Sequence, residues 1–138
     1  MKPEVLEKNR KRFKIDAEGK TLWKLAVEIA DRLIWKNNAH YCDHRDCGSF
    51  VIVDNAEKIV VTWKKLQQKM YYTYSWYKGN VKSMDLGTLL KKNPVKVLWF
   101  AVRGMLPKNK LRDPRMKRLK LFVGNSAKYD NLHPEIIK

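Results

Sequence analysis

Arg12-Phe13-Lys14-Ile15-Asp16-Ala17 alternates polar with apolar residues and is broken by Gly19, after which Leu22, Leu25, Ala26, Ile29, Ala30 and Leu33 recur at helical spacing. Alternation sends successive side chains to opposite faces, so the first piece predicts a short, half-buried strand. The second predicts an amphipathic helix of about four turns, with Thr21 as its N-cap and Asp31, Arg32 and Lys36 on its other faces. Downstream, Ser49-Phe50-Val51-Ile52-Val53-Asp54 is an unbroken run rich in branched apolar residues, as expected of a strand covered on both faces. Strand, helix and buried strand make a βαβ unit, and the chain reads as α/β.

Outward from this unit, a turn at Asp54-Asn55-Ala56 leads to further extended pieces at residues 58–62 and 68–73. Residues 85–92 and 94–105 predict two helices, the second opening with Pro94 at an N1-like position and carrying Val95, Leu98, Val102 and Met105 on one side. Residues 110–117 predict a basic helix broken or started at Pro114, and residues 119–123 a closing strand ended by Gly124. Residues 1–12 carry Lys8, Arg10, Lys11 and Arg12 and little to bury, so they read as a basic arm that orders on a partner. Residues 13–124 then form a single domain, and residues 125–138, which have no clear period, a C-terminal tail. There is no internal repeat and no low-complexity tract.

The 138 residues and 16.4 kDa fit one domain. A hydrophobic share of 44% exceeds what a disordered chain carries, despite a mean hydropathy of −0.57. Thirty lysines and arginines face 14 acids, a formal charge of +16, and self-repulsion of that size calls for a polyanion. Nucleic acid and an anionic membrane surface are the usual ones. The longest apolar run, Val97-Leu98-Trp99-Phe100-Ala101-Val102, is far short of the roughly 20 residues that cross a bilayer. The charged N-terminus has no apolar stretch of the signal-peptide kind, so an intracellular location is expected. Cys42 and Cys47, five positions apart, are expected to be reduced thiols.

His40-Tyr41-Cys42-Asp43-His44-Arg45-Asp46-Cys47 offers four metal-ligand types within eight residues. Zinc sites pair ligands across two separated elements, whereas here all four come from one loop and the only other histidine is His133, so a polar connecting loop is the preferred reading. A Cys/His hydrolase is an enzymatic alternative, but no nucleophile elbow, phosphate-binding loop or dinucleotide fingerprint accompanies the pair. No catalytic residue is assigned. The basic segments are more informative: Arg103, Lys108, Lys110, Arg112, Arg115, Lys117, Arg118 and Lys120 face the single acid Asp113. Unbalanced charge at that density points to a nucleic-acid contact surface. Lys64, Lys65 and Lys69, followed by Tyr71, Tyr72, Tyr74 and Tyr77, interleave cations with rings that either stack on unpaired bases or simply pack.

Four blocks in order, Ile15-Asp16-Ala17-Glu18-Gly19-Lys20-Thr21-Leu22, Tyr41-x-x-His44-x-Asp46-x-Gly48, Asn55-Ala56-Glu57-Lys58-Ile59-x-Val61-Thr62 and Ala101-Val102-Arg103-Gly104-Met105-Leu106-Pro107-Lys108-Asn109, resemble the universal large-subunit ribosomal protein thirteen family in its bacterial form. The resemblance covers residues 15–124. It implies a three-layer α/β/α sandwich around a small, mostly parallel four-stranded sheet, with basic arms and loops. It also implies a structural, early-assembling role on large-subunit ribosomal RNA beside neighbouring ribosomal proteins, with no catalysis, cofactor, metal, membrane or small-molecule substrate. The location implied is the cytoplasm, within the ribosome, with bacterial and organellar ribosomes both open. By correspondence with the family, His44, Lys20, Lys58, Lys108 and Asn109 are the first expected RNA contacts. Lys36, Lys64, Tyr72, Lys82, Arg103, Lys110, Arg112, Arg115, Lys117 and Arg118 complete the expected set. Tyr74 and Asn80 depart from the family's histidine and glycine. A free-standing RNA chaperone or regulator using the same basic surface is the alternative function.

The five tryptophans stand out beside only six glycines. Trp23, Trp35, Trp63 and Trp76 fall where the resembled pattern has glycine, while Trp99 has no such counterpart. Ordinary packing or base stacking is one explanation. A UGA codon read as glycine in the source but rendered here as tryptophan is the other, and it would make position 99 glycine as well.

Overall fold

The computed structural model describes residues 10–36, 38–39 and 41–137. In chain order its elements are β1 (Arg12–Asp16), α1 (Leu22–Ile34), β2 (Phe50–Asp54), a 3-10 turn (Ala56–Lys58), α2 (Lys65–Gln68), β3 (Met70–Tyr74), β4 (Val81–Asp85), α3 (Leu86–Lys92), α4 (Pro94–Met105), α5 (Arg112–Lys117), β5 (Leu119–Leu121), a 3-10 helix (Ala127–Leu132) and β6 (Glu135–Ile137). The βαβ unit read from the sequence is present, with β1 and β2 parallel in the register Phe13 to Val51 and Ile15 to Val53. β5 adds to β2 and β6 to β1, again in parallel, giving a four-stranded sheet in the order β5-β2-β1-β6. The fold is α/β, as expected.

In a parallel ladder, paired residues share a face, so Ile15, Val53 and Leu121 project together. That face meets Leu25, Ile29 and Leu33 of α1 and Leu98 and Val102 of α4, all fully buried in one core. Each such side chain contributes about 2 kcal/mol of hydrophobic stabilisation. The other face carries Lys14 and Asp54, paired at 3.1 Å, and is covered by the last stretch of chain. There Asp130 accepts from Lys14 Nζ at 2.7 Å, Ser126 Oγ donates to Asp54, and the Phe122 and Tyr129 rings lie 5.5 Å apart. The Asp130 hydrogen bond raises the Lys14 pKa above the ordinary lysine value.

Several local expectations are corrected. Residues 125–138 are not a separate tail, because their 3-10 helix and β6 complete the sheet and cover its second face. The arm does not extend to residue 12, since Arg12 opens β1 and the Lys11 carbonyl accepts from Phe50 N; residues 1–9 lie outside the described residues. The strand expected at 58–62 is a 3-10 turn followed by a single bridge from Val60 to Thr21, with Ile59 turned into the core. Thr21 occupies the N-cap of α1, but its side chain makes no capping bond. β4 was not foreseen. It pairs antiparallel with β3 as a hairpin outside the main sheet, with Tyr71 opposite Met84, and both side chains pack on a second small core of Leu86, Leu89 and Val97.

Candidate nucleic-acid interface

Lysine and arginine part company along the basic C-terminal segment. Lys108, Lys110, Lys117 and Lys120 are exposed, whereas Arg103 and Arg112 are half-buried and Arg115 and Arg118 are 2% and 5% exposed. The buried pair converge on Asp46. Arg118 Nη2 donates to Asp46 Oδ1 at 2.6 Å and Nη1 to Oδ2, while its remaining N–H groups reach the carbonyls of Ser49 and Leu33 at 3.3 and 3.4 Å. Arg115 Nε stands 3.7 Å from the same carboxylate, and Arg10 donates to the Asp46 carbonyl at 3.0 Å. A forked guanidinium is suited to this work, and a lysine is not. Gly48 lets the arginine in: a Cβ there would sit 1.6 Å from the Leu33 carbonyl oxygen and 2.9 Å from Arg118 Nη2. The expectation that Arg115 and Arg118 touch RNA is therefore replaced by a structural role, because their charge is committed to Asp46 inside the protein.

The other expected contacts divide by environment. His44, Lys36, Lys64, Lys82, Lys108, Asn109, Lys110 and Lys117 are exposed, and Tyr72 is 71% exposed. Lys20 is half-buried and pairs with Glu28 at 3.4 Å, and Lys58 pairs with Glu18 at 3.0 Å, which raises its pKa. Arg103 lies over the Trp99 ring at 5.1 Å. Asn109 is spent on its own turn, its Oδ1 accepting from Leu111 N at 3.2 Å. In the Cys/His loop, His40 lies outside the described residues, His44 is exposed, and neither cysteine forms a disulfide.

The most one-sided surface belongs to the elements between the 3-10 turn and α5. Residues 61–112 hold twelve lysines and arginines and one acid, Asp85. That acid is occupied as the N-cap of α3, accepting from Thr88 N at 3.0 Å, and hydrogen bonding from the Thr88 side chain and then its backbone holds the carboxyl below the ordinary range. Within this region the β3–β4 hairpin and the α3–α4 corner enclose an open cleft of about 550 Å³ lined by Tyr71, Tyr72, Thr73, Met84, Leu89, Lys92, Asn93, Lys96 and Phe100. Tyr71 and Phe100 stack at 5.6 Å along its wall. The Tyr71 hydroxyl is buried with no hydrogen-bond partner among the described residues, and burial raises its pKa. Lys92, Lys96, Asn93 and Phe100 were not among the expected contacts, although the run Lys91-Lys92-Asn93-Pro94-Val95-Lys96 is visibly basic. Among the described residues no helix is long and apolar enough to cross a membrane.

Fold and surface together define a small, strongly basic α/β domain whose charges sit on solvent-facing lysines and aromatic-lined loops. The sequence profile of the family described as "Ribosomal protein L13" matches residues 10–128. Proteins named "Large ribosomal subunit protein uL13" are 43% identical to the chain: that of Syntrophus aciditrophicus over 93% of this chain and 90% of its own, and that of Thermotoga petrophila over 100% and 91%. The protein of the same name from Xylella fastidiosa is 43% identical over 91% of this chain and 88% of its own. The chain belongs to the ribosomal protein L13 family, whose members are structural ribosomal components and not enzymes.

Proposed function

We propose that this chain binds large-subunit ribosomal RNA as a structural constituent of the large subunit, beside neighbouring large-subunit proteins, and supports early subunit assembly. The observation that carries the proposal is the twelve-to-one excess of cations over acids in residues 61–112, on the elements that form the hairpin and its cleft. Charge held outward at this density is stabilised when phosphates replace condensed counterions. The exposed Lys64, Lys82, Lys92, Lys96, Lys108, Lys110 and Lys117 supply those contacts. Tyr72 and the Tyr71–Phe100 wall offer ring faces to an unpaired base, the way RNA loops are recognised. The α/β core holds these groups in place and takes no part in chemistry. Binding of the purified chain to large-subunit RNA, with Lys92→Ala and Lys96→Ala beside wild type, tests this. A clear loss of affinity in a correctly folded double variant is expected, and unchanged affinity would remove the cleft from the interface.

A further inference from the structure

Among the described residues, five that are not glycine have positive φ: Trp35, Asn55, Trp63, Trp76 and His133. Asparagine and histidine are enriched in the left-handed region, whereas a bulky side chain there is an outlier. Yet three of the chain's five tryptophans occupy it, at φ 54°, 65° and 67°.

Each of the three positions has a geometry that suits glycine. Residue 35 closes α1 at φ 54°, ψ 53°, and its N–H bonds back to the Asp31 carbonyl at 2.6 Å. That is a left-handed helix cap, which glycine fills because it has no Cβ. Residue 63 lies in the turn before α2, and residue 76 in the hairpin loop three positions from Gly79, itself at φ 73°. Burial does not offset the strain at 63 and 76, where the tryptophans are 89% and 88% exposed, whereas Trp35 is half-buried with its ring edge-to-face on Phe13 at 6.4 Å. The composition is skewed in the matching direction. Six glycines stand in 138 residues, where ordinary usage of about 7% gives about ten.

We propose that UGA is a glycine codon in the organism that makes this chain, so that its ribosomes place glycine at positions 35, 63 and 76. One reassignment explains three separate outliers that unrelated substitutions would have to meet one at a time. Trp99 is different. It lies within α4, packs against the main core, sits 5.4 Å from the Phe100 ring and holds Arg103 over its face, contacts a glycine cannot make. Position 99 is thus assigned to the ordinary tryptophan codon, against the expectation that all five change together, and Trp23, in the first turn of α1, lacks the positive φ that marks the other three. Glycine at 63 and 76 leaves bare backbone beside Lys64 and Lys78, a surface a phosphate can approach closely if the RNA-binding reading holds; the codon assignment itself does not depend on that reading.

Peptide mass spectrometry of the protein isolated from its source organism is the test. Glycine residue masses at 35, 63 and 76 are expected, and tryptophan masses there overturn the proposal. Thermal and denaturant unfolding of recombinant chains supplies an independent arm. Trp63→Gly and Trp76→Gly should each raise the folding equilibrium constant roughly 2- to 5-fold, the relief of left-handed strain less the added freedom of the unfolded chain, and Trp35→Gly should leave it within about 2-fold, because the same relief is set against the lost ring contact with Phe13. Trp99→Gly should lower it about 10-fold or more. A loss of stability at 35, 63 and 76 like that at 99 would contradict the conformational argument.

Discussion

Identical formal charges at neighbouring positions do different work in residues 112–120. Arg115 and Arg118 are spaced three apart on α5 and at its end, so they share the face turned to Asp46, while Lys117 and Lys120 point outward. Charge density alone does not separate the two kinds of cation, which is why both arginines are expected at the RNA surface from sequence. The forked side chains mark the inward positions only once Asp46 is seen opposite them. Arg118→Ala should destabilise the fold by about 3–5 kcal/mol, because it removes one partner of a buried ion pair, whereas Lys117→Ala should leave the unfolding midpoint unchanged and weaken RNA binding. Comparing chemical unfolding with RNA affinity for the two variants checks both statements. Gly48→Ala should be as damaging as Arg118→Ala, since the new methyl group meets backbone that cannot withdraw.

At the scale of elements, the pieces with a strong period are the ones legible beforehand. β1, α1 and β2 follow from a two-residue alternation, a helical repeat and an unbroken apolar run, and α4 begins at Pro94 and ends at Met105 as its pattern predicts. β4 and β6 carry no such signal. β4 has Val81 and Met84 among polar residues and depends on its pairing with β3, and β6 is three residues long and depends on β1. The cleft was hidden for the same reason, since it exists only where the hairpin meets α3 and α4. Asp85 joins these elements by ending β4 and capping α3. Asp85→Ala should lower the unfolding midpoint by a few degrees. Its carboxyl, and that of Asp16, which accepts from Asn55 Nδ2 at 2.9 Å, are held below the ordinary aspartate value. The folded state thus binds those protons less readily than the unfolded one, so their contribution is present above about pH 4 and lost as pH falls below it. An unfolding series between pH 3 and pH 6 should show wild-type stability dropping at the acid end, with a shallower drop in Asp85→Ala.

The molecule as a whole is a hydrophobic α/β core carrying far more positive charge than it can balance internally. Among the described residues, ion pairs such as Lys58 with Glu18 and Lys20 with Glu28 tie up some cations, but 14 acids cannot balance 30 lysines and arginines. Exposed lysines from residues 61–120 remain for a polyanion, and they sit on loops and helix ends held by the sheet and its helices. If at least about five of them meet phosphates, the slope of log K against log salt for binding large-subunit RNA should be steeper than about −3, and each lysine-to-alanine change at a contact should flatten it by about one unit. The most direct measurement is that salt titration on the purified chain. A slope steeper than −3 that flattens on Lys117→Ala is the predicted result, and an affinity for large-subunit RNA that does not change with salt would contradict it.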